Sequence, residues 1–246
     1  MTNLDVIILA AGQGKRMHSA VPKVLHTLAG KPLIAHVVDI ARALGPRAIR
    51  VVYGHGGEQV RRALAPVEIE WIHQAEQLGT GHAVQQAIGS VADDALVLVL
   101  YGDVPLIEAD TLRHLISPLT PPTLSLLTVE LTNPTGYGRI VRNSRGDVER
   151  IVEQKDATAE EAKRREINTG ILTAPSRLLR GWLARLENRN SQREYYLTDV
   201  IGIASTQGEK ISVVTMEDPR QVIGVNTLEE LATAELLLLQ LQDELS

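Results

Sequence analysis

Short apolar runs alternate with amphipathic stretches along the first half of the chain. Val6–Ala10 predicts a strand, and Ala95–Leu100 is apolar without alternation, as expected of a central parallel strand buried on both faces. Pro32–Leu44 carries apolar residues at helical spacing with a proline near its start, which predicts a helix. This β-α-β-α rhythm predicts an α/β fold with a Rossmann-like, open and mostly parallel sheet that has helices on both sides.

The same patterns predict the remaining elements. In the first half they are the strands Ile49–Tyr53, Glu68–Ile72 and Ser125–Leu131 and the helices Glu58–Leu64, Gly81–Ile88 and Thr111–Ile116. After Thr132 they are a hairpin of Arg139–Arg142 with Asp147–Val152, a charged helix Ala157–Arg165, the strands Ile167–Ala174 and Ile211–Thr215, and the helices Arg177–Leu186, Thr198–Thr206 and Thr227–Ser246. We expect residues 134–220 to form a sheet extension that covers one side of a pocket.

Composition narrows the function classes. The 246 residues suit one large α/β domain or two small ones, and the absence of cysteine excludes disulfides and thiolate metal sites. The net charge of −5 argues against a broad nucleic-acid surface. No apolar run approaches the roughly 20 residues that cross a bilayer, and the first residues lack the basic segment of a secretory signal. We therefore expect a cytoplasmic protein with neither a nucleic-acid nor a membrane partner.

The segment LAAGQGKRMHSAVPKVL, which follows the first predicted strand, carries a candidate phosphate site. Its small residues allow the backbone to approach a phosphate closely, and consecutive N–H groups can form an anion-binding nest. Arg16 adds a planar fork for phosphate oxygens, and Lys23 adds a point charge. Met17 stands where a dinucleotide fingerprint needs glycine, and the Gly-Lys-Ser/Thr of ATPase loops is missing. The segment thus favours phosphate binding by a nucleotidyltransferase over a simple turn.

A carboxylate follows the central strand. Ligands of open α/β sheets lie beyond the carboxyl ends of the strands, where Asp103 is expected. One carboxylate suits Mg²⁺, which keeps waters and phosphates as its other ligands. In isolation an Asp here would more often cap the next turn, but the phosphate loop makes metal binding the favoured interpretation. The seven histidines are scattered without a helical i, i+4 pair, so we interpret them as ordinary surface or core residues. No G-x-S-x-G nucleophile elbow occurs.

Several motifs in order carry a family resemblance. They are LAAGQGKRM with PKVLH, VVYGHGG, QAEQLGTGHA, LYGDVPL, NPTGYGRI, IVEQKDA, INTGI, EYYLTD and GVN. Together they resemble the N-terminal pyrophosphorylase (uridyltransferase) domain of bacterial bifunctional N-acetylglucosamine-1-phosphate uridyltransferase/glucosamine-1-phosphate acetyltransferase. The resemblance covers essentially the whole chain and implies a fold of the nucleotide-diphospho-sugar transferase type, with a sugar-binding extension of the sheet.

The resemblance also implies a domain organisation. Residues 1–226 would form the nucleotidyltransferase domain and residues 227–246 a linker helix. The hexapeptide repeats of the acetyltransferase β-helix do not occur in this sequence, so that activity and its trimer are not expected here. The chain would be a truncated form of the longer enzyme or a stand-alone uridyltransferase, and its oligomeric state stays open. Leu237–Leu239 would be an exposed remnant on the last helix.

Site residues follow from the resemblance, position by position. The nucleotide would be bound by Leu9, Ala10, Ala11, Gly12, Lys23, Gln74, Gly79 and Thr80, with Gln74 reading the uracil edge. The sugar phosphate would be bound by Tyr101, Gly102, Asp103, Gly138, Glu153, Asn168, Thr198 and Asn226. Asp103 and Asn226 would hold Mg²⁺, and Arg16, Lys23 and Asp103 would be the catalytic residues.

The implied reaction joins UTP and N-acetylglucosamine 1-phosphate into UDP-N-acetylglucosamine and pyrophosphate, for peptidoglycan and lipopolysaccharide precursors. A phosphate oxygen of the sugar phosphate would attack the α-phosphorus in line with Mg²⁺ assistance. Two alternatives stay open: another sugar-1-phosphate nucleotidyltransferase, and a non-catalytic nucleotide-sugar binding protein. Degenerate relatives should lose charged loop residues or the metal carboxylate, so the presence of Arg16, Lys23, Asp103 and Asn226 favours an enzyme.

Overall fold

A nine-stranded mixed sheet organises the part of the chain that the computed structural model describes, residues 3–54, 56–65, 67–116 and 123–244. The strands are β1 Leu4–Ala10, β2 Thr27–Leu28, β3 Lys31–Pro32, β4 Ala48–Tyr53, β5 Glu70–His73, β6 Leu96–Tyr101, β7 Leu124–Glu130, β8 Gly138–Arg142, β9 Val148–Val152, β10 Glu166–Pro175 and β11 Ile211–Met216. Of these, β2 and β3 form a separate two-stranded ribbon. The α-helices are α1 Leu33–Ala43, α2 Gly57–Ala63, α3 Thr80–Ile88, α4 Ala109–Ile116, α5 Ser176–Leu183, α6 Asp199–Thr206 and α7 Leu228–Glu244. Among the helices of these ranges, none is both long and apolar enough to span a membrane.

The strand order β11-β7-β10-β6-β1-β4-β5 confirms the predicted mostly parallel α/β sheet. β6, β1, β4 and β5 are parallel neighbours, whereas β10 runs antiparallel between β7 and β6. The central strand β6 therefore has one parallel and one antiparallel partner. The expected extension is smaller than residues 134–220, because β10 and β11 belong to the main sheet and only the β8–β9 hairpin projects from β10.

Both faces of the sheet are covered by aliphatic side chains. On β1, Ile7 and Leu9 pack in the cluster shared with α3, α5 and α6, whereas Val6 and Ile8 pack in the cluster shared with α1 and α4. Val6, Ile7 and Ile8 are fully buried, which accounts for the continuous apolar run of this strand. Burial on both faces holds the carboxyl ends of β1 and β6 side by side.

The prediction of a helix over Ala157–Arg165 is wrong. This segment contains only one 3-10 turn, Glu161–Lys163. Thr158 and Glu161 form a capping box, since the Thr158 N–H donates to Glu161 Oε2 and the Glu161 N–H donates to Thr158 Oγ1. The segment therefore has the capping residues that begin a helix but no apolar stripe to pack against the sheet. A longer helix here would have little to stabilise it.

The last helix lies against the body of the protein through one face. Leu237 and Leu238 pack on a small cluster that includes the fully buried Leu28 and Ala234. Leu236 and Leu239 are 64% and 58% exposed. The expectation of an exposed Leu237–Leu239 face is thus wrong for the first two of these residues and correct for Leu239.

Candidate functional site

A cleft of about 550 Å³ opens where β1, β5 and β6 end. Parallel neighbours bring the carboxyl ends of these strands to one edge of the sheet, as expected for a ligand site of this fold. Most of the residues predicted to bind nucleotide, phosphate or metal line this cleft. They are Leu9, Ala10, Ala11, Gly12, Arg16, Lys23, Gln74, Gly79, Thr80, Tyr101, Asp103 and Asn226.

The loop after β1 is shaped by glycine. Gly14 has a φ of +60°, and a Cβ on it would lie 2.7 Å from Lys23 Cβ, so only glycine allows this approach. The Met17 N–H donates to the Gly14 carbonyl at 2.9 Å and closes the turn that carries Arg16. Arg16 is exposed at the cleft wall. Two cationic side chains therefore stand at the mouth of a loop of small residues.

Lys23 connects the two predicted metal ligands. Its Nζ forms a salt bridge with Asp103 Oδ2 and donates to Asn226 Oδ1 at 2.8 Å. The backbone holds these oxygens together, because the Val225 N–H donates to the Asp103 carbonyl at 2.8 Å. Asn226 Nδ2 donates to the Gly224 carbonyl at 3.2 Å, which turns its Oδ1 toward Lys23. One carboxylate oxygen and one amide oxygen thus converge on a single cationic group.

The donor set fits a hard divalent cation. Two oxygens that already contact one ammonium can also contact a metal ion, and Mg²⁺ takes few protein ligands. In the described residues, no cluster of three or more His, Cys, Asp or Glu offers an alternative metal site. In this cleft, Asp103 and Asn226 present the two converging oxygens that could hold a metal ion.

The opposite wall of the cleft is formed by the turn from β5 into α3. Gln74 is 2% exposed, and its Nε2 donates to the Gly79 carbonyl at 3.2 Å and lies 2.9 Å from His82 Nδ1. Gly79 has a φ of +112°, and a Cβ there would lie 2.6 Å from the Tyr195 carbonyl oxygen. The chain passes so close to the segment of residues 190–198 that Gly79 has no room for a side chain.

A second cavity, of about 430 Å³, holds part of the predicted sugar site. Glu153 and Thr198 line it, and Thr198 Oγ1 donates to Glu153 Oε1 at 3.0 Å. Gly138 lies beside this pair, since a Cβ on it would be 3.5 Å from Glu153 Oε2. Asn168 pairs with Gly138 across β10 and β8, and its Oδ1 accepts from the Gly170 N–H at 3.1 Å. Neither cavity is lined by the other predicted residues Gly102, Gly138 and Asn168.

Carboxylates dominate the electrostatics of the second cavity. Burial raises the pKa of Glu153. The hydrogen bond from Thr198 lowers this pKa, and the charge of Asp156 raises it. Burial, then the charges of Glu153 and Asp156, raise the pKa of Asp199 to about 6. Burial also raises the pKa of Tyr101, with smaller contributions from Glu153 and Asp103, so its hydroxyl stays neutral. This wall offers both carboxylates and hydroxyls to a polyhydroxylated ligand.

The segment of residues 190–198 joins the two cavities. On the side of the first cleft, the Gly81 N–H donates to the Tyr195 carbonyl at 2.8 Å and the Leu197 N–H donates to Thr80 Oγ1 at 3.1 Å. On the other side, the Ser191 N–H donates to Asp156 Oδ1 at 2.9 Å. Glu194 lines the first cavity, and Thr198 lines the second. The two cavities therefore share one wall.

Sequence reasoning missed several residues of these walls. The first cleft also includes Gln13, Gly14, Val24, Gln77, Ala83 and Glu194, and the second includes Asp156, Tyr196 and Asp199. Gln77 and Ala83 lie in or next to the motif QAEQLGTGHA, which was a sufficient signal for both. His82 also lies in that motif, and the structure places it against Gln74 rather than in an ordinary surface or core position.

Comparisons with known proteins agree with this geometry. The model of the MobA-like NTP transferase domain matches residues 6–165. The chain is 55% identical over 232 residues to the bifunctional protein GlmU of Azoarcus sp. (strain BH72), covering 94% of this chain and 51% of the relative. It is 54% identical over 233 residues to the bifunctional protein GlmU of Stutzerimonas stutzeri (strain A1501), with 95% and 51% covered. The chain thus spans about half the length of the curated relatives it matches.

Two solved structures support the fold alone. A nucleotidyl transferase from Methanothermobacter thermautotroptrophicus has a TM-score of 0.68 and 18% identity, with 96% of this chain and 98% of that chain covered. A Bacillus anthracis protein described as a glucose-1-phosphate thymidylyltransferase has a TM-score of 0.74 and 20% identity, with 95% and 94% covered. These neighbours confirm the fold of a nucleotide-sugar transferase.

Proposed function

The chain belongs to the family of MobA-like NTP transferase domains, and we propose that it transfers the uridylyl group of UTP to N-acetylglucosamine 1-phosphate. The observation that carries this proposal is the gathering of the phosphate loop, Arg16, Lys23, Asp103 and Gln74 around one cleft. The identity of more than half of the aligned residues with proteins called GlmU supports the choice of substrates. The product, UDP-N-acetylglucosamine, is a precursor of cell-wall polymers.

The chemistry requires alignment and charge neutralisation. A phosphate oxygen of the sugar phosphate forms a bond to the α-phosphorus of UTP, while the bond from that phosphorus to the oxygen bridging the β-phosphate breaks and pyrophosphate leaves. The nucleophile is already an anion at neutral pH, so no general base is needed. Arg16 and Lys23 would stabilise the charge that develops on the departing pyrophosphate.

We propose Mg²⁺ as the metal of this site, held by Asp103 and Asn226. When bound, it would neutralise phosphate charge and hold the two reactants together. Lys23 contacts both of these oxygens, so a metal ion there would release its ammonium toward the phosphates. After this exchange the Lys23 ammonium would contact the phosphates instead of Asp103 and Asn226, and its present position already lies beside the metal site.

The sugar would occupy the second cavity. Glu153 and Thr198 offer an acceptor and a hydroxyl to sugar hydroxyl groups, and the absence of a side chain on Gly138 leaves space beside Glu153 Oε2. Tyr101 lines the cleft at the end of β6 and lies near Glu153, so it would stand between nucleotide and sugar. Since UTP is a cytoplasmic metabolite, the proposed reaction places the protein in the cytoplasm.

Pyrophosphate release with a panel of substrates tests the proposal. UTP, CTP and dTTP are each offered with N-acetylglucosamine 1-phosphate and with glucose 1-phosphate. We expect the largest kcat/KM for UTP with N-acetylglucosamine 1-phosphate. Faster turnover of dTTP or of glucose 1-phosphate would assign the protein to another sugar-1-phosphate nucleotidyltransferase. Tight binding of UDP-N-acetylglucosamine in a calorimeter without any turnover would identify a non-catalytic binding protein.

A further inference from the structure

The amide of Gln74 is held in one orientation by its surroundings. The Gly79 carbonyl oxygen can only accept a hydrogen bond, so the Gln74 atom at 3.2 Å from it must be the amide nitrogen. The second hydrogen of that nitrogen points to His82 Nδ1 at 2.9 Å. Both amide hydrogens are therefore used by the protein. Among the described residues, none donates a hydrogen bond to Gln74 Oε1, which leaves this oxygen for the cleft that Gln74 lines.

This arrangement requires one tautomer of His82. Nδ1 can accept from Gln74 only when it carries no proton, so the proton of the neutral ring resides on Nε2. His82 Nε2 lies 3.1 Å from Gln86 Nε2, and this tautomer requires the exposed Gln86 amide to turn so that its oxygen faces the ring instead. The ring also lies beside Tyr195, with centroids 6.4 Å apart. Gln86 can thus accept from Nε2 after this turn, and Tyr195 packs beside the ring.

The orientation of Gln74 has a consequence for the choice of base. Uracil carries a donor at N3, whereas N3 of cytosine is an acceptor. An amide oxygen fixed toward the base accepts from the first and faces a lone pair of the second. If the amide were free to turn by 180°, its NH₂ group could serve cytosine, and the discrimination would fall.

We propose that His82 is a specificity-determining positioning residue, which together with the Gly79 carbonyl locks the Gln74 amide with its oxygen toward the base and thereby excludes pyrimidines that lack an N3 donor. The proposal rests on the proposed function in that the base is a pyrimidine bound beside Gln74. His82 itself acts through Gln74 and does not touch the substrate. Its effect is therefore on the ratio between nucleotides rather than on the chemical step.

The test compares kcat/KM for UTP and CTP in matched variants. His82→Phe keeps a ring beside Tyr195 but removes the acceptor, and His82→Asn places an amide oxygen close to the position of Nδ1. We expect His82→Phe to lower the UTP-to-CTP ratio by about tenfold or more, the range for one misplaced polar partner. His82→Asn should restore most of the ratio, and His114→Phe, at an exposed position on α4, should leave it unchanged.

Two further measurements keep the proposal testable if a variant folds poorly or turnover is low. Long-range proton–nitrogen correlation spectra of the wild-type protein should show His82 Nδ1 unprotonated and Nε2 protonated. Calorimetric titrations with UTP and CTP alone should reproduce the kinetic ratio. The proposal is overturned by an Nδ1-protonated tautomer, or by an unchanged ratio in His82→Phe. Wild-type protein that binds UTP selectively but never releases pyrophosphate would refute the proposed function and leave this inference standing.

Discussion

At the scale of single residues, the contacts of Lys23 lie at the end of the cleft where we propose that the reaction takes place. Its ammonium contacts Asp103 Oδ2 and Asn226 Oδ1, and only one of these ligands carries a charge. A neutral oxygen alone binds a divalent cation weakly, because the cost of removing water from the cation is not offset by attraction to a negative charge. Asp103 therefore dominates the affinity of the proposed metal site.

Asp103→Asn should keep the fold but lose metal-dependent turnover. The change preserves the shape of the side chain and removes its charge, so we expect kcat/KM with Mg²⁺ to fall by on the order of a hundredfold or more. Binding of Mn²⁺, followed by electron paramagnetic resonance, should weaken in parallel. Asp110→Asn, at an exposed position on α4, is the matched control. Turnover of Asp103→Asn at the wild-type rate would contradict the metal assignment.

The residues of the site differ in how far they could be predicted. The small residues before Arg16 predict phosphate binding from local chemistry, and only together with that loop does the carboxylate after β6 predict metal binding. The roles proposed for Gln74, Glu153 and the other sugar and base residues came only from the family resemblance. His82 could not be predicted from its pattern, since its role depends on an amide that reaches it across the turn between β5 and α3.

At the scale of elements, β10 shows where local patterns stop being sufficient. Its apolar sequence predicts a strand, but nothing in it specifies antiparallel pairing with both β7 and β6. Its register also shifts between Asn168 and Leu172, and within this irregularity Gly170 has a φ of +85°. Pairing partners are set by long-range packing, which the alternation of residues along one strand does not encode.

Gly170 makes this irregularity testable. A Cβ on Gly170 would lie 2.7 Å from Cζ of the Tyr101 ring, whereas Gly208, with a φ of +76°, has no atom within 4 Å of its Cβ position. Gly208→Ala should lose about 1–2 kcal/mol, the cost of a left-handed backbone conformation. Gly170→Ala should lose a further 1–3 kcal/mol or so, because the added methyl overpacks against the ring.

Urea unfolding of both variants measures the difference. Because Tyr101 lines the cleft, Gly170→Ala should also raise the KM for the sugar phosphate, while Gly208→Ala should not. In thermal scans each kcal/mol corresponds to roughly 2–4 °C in Tm for a chain of this size. Equal losses in the two variants would show that Tyr101 yields to the methyl group without cost.

At the scale of the whole molecule, the fold joins two sites that differ in charge. In the first cleft Arg16 and Lys23 stand beside Asp103 and Glu194, whereas the second cavity sets Glu153, Asp156 and Asp199 against Arg150. The architecture of the first could be predicted from the β-α-β-α rhythm, because parallel strands always bring their carboxyl ends together. The second could not, since it is assembled from the β8–β9 hairpin, α6 and an irregular segment that are distant in sequence.

The acidic wall should make global stability depend on pH. Asp199 has a pKa raised to about 6 from its ordinary value of 3.8, first by burial and then by Glu153 and Asp156. The folded state therefore binds more protons than the unfolded state between these two values. The contribution of Asp199 to the free energy of unfolding should therefore fall as the pH rises from about 4 to about 6 and should then level off. Glu153, with a pKa raised chiefly by burial, acts in the same direction.

Asp199→Asn isolates this contribution, because the amide cannot ionise. Above pH 6 the variant should be more stable than the wild type by on the order of 1 kcal/mol, after allowance for solvent screening of a partly exposed group. At pH 4 the two proteins should differ little. Urea unfolding at pH 4, 5, 6 and 7 measures the difference. A stability gain that is the same at every pH would mean that the variant improves packing rather than removing a charge, and the acidic wall would then carry no electrostatic cost.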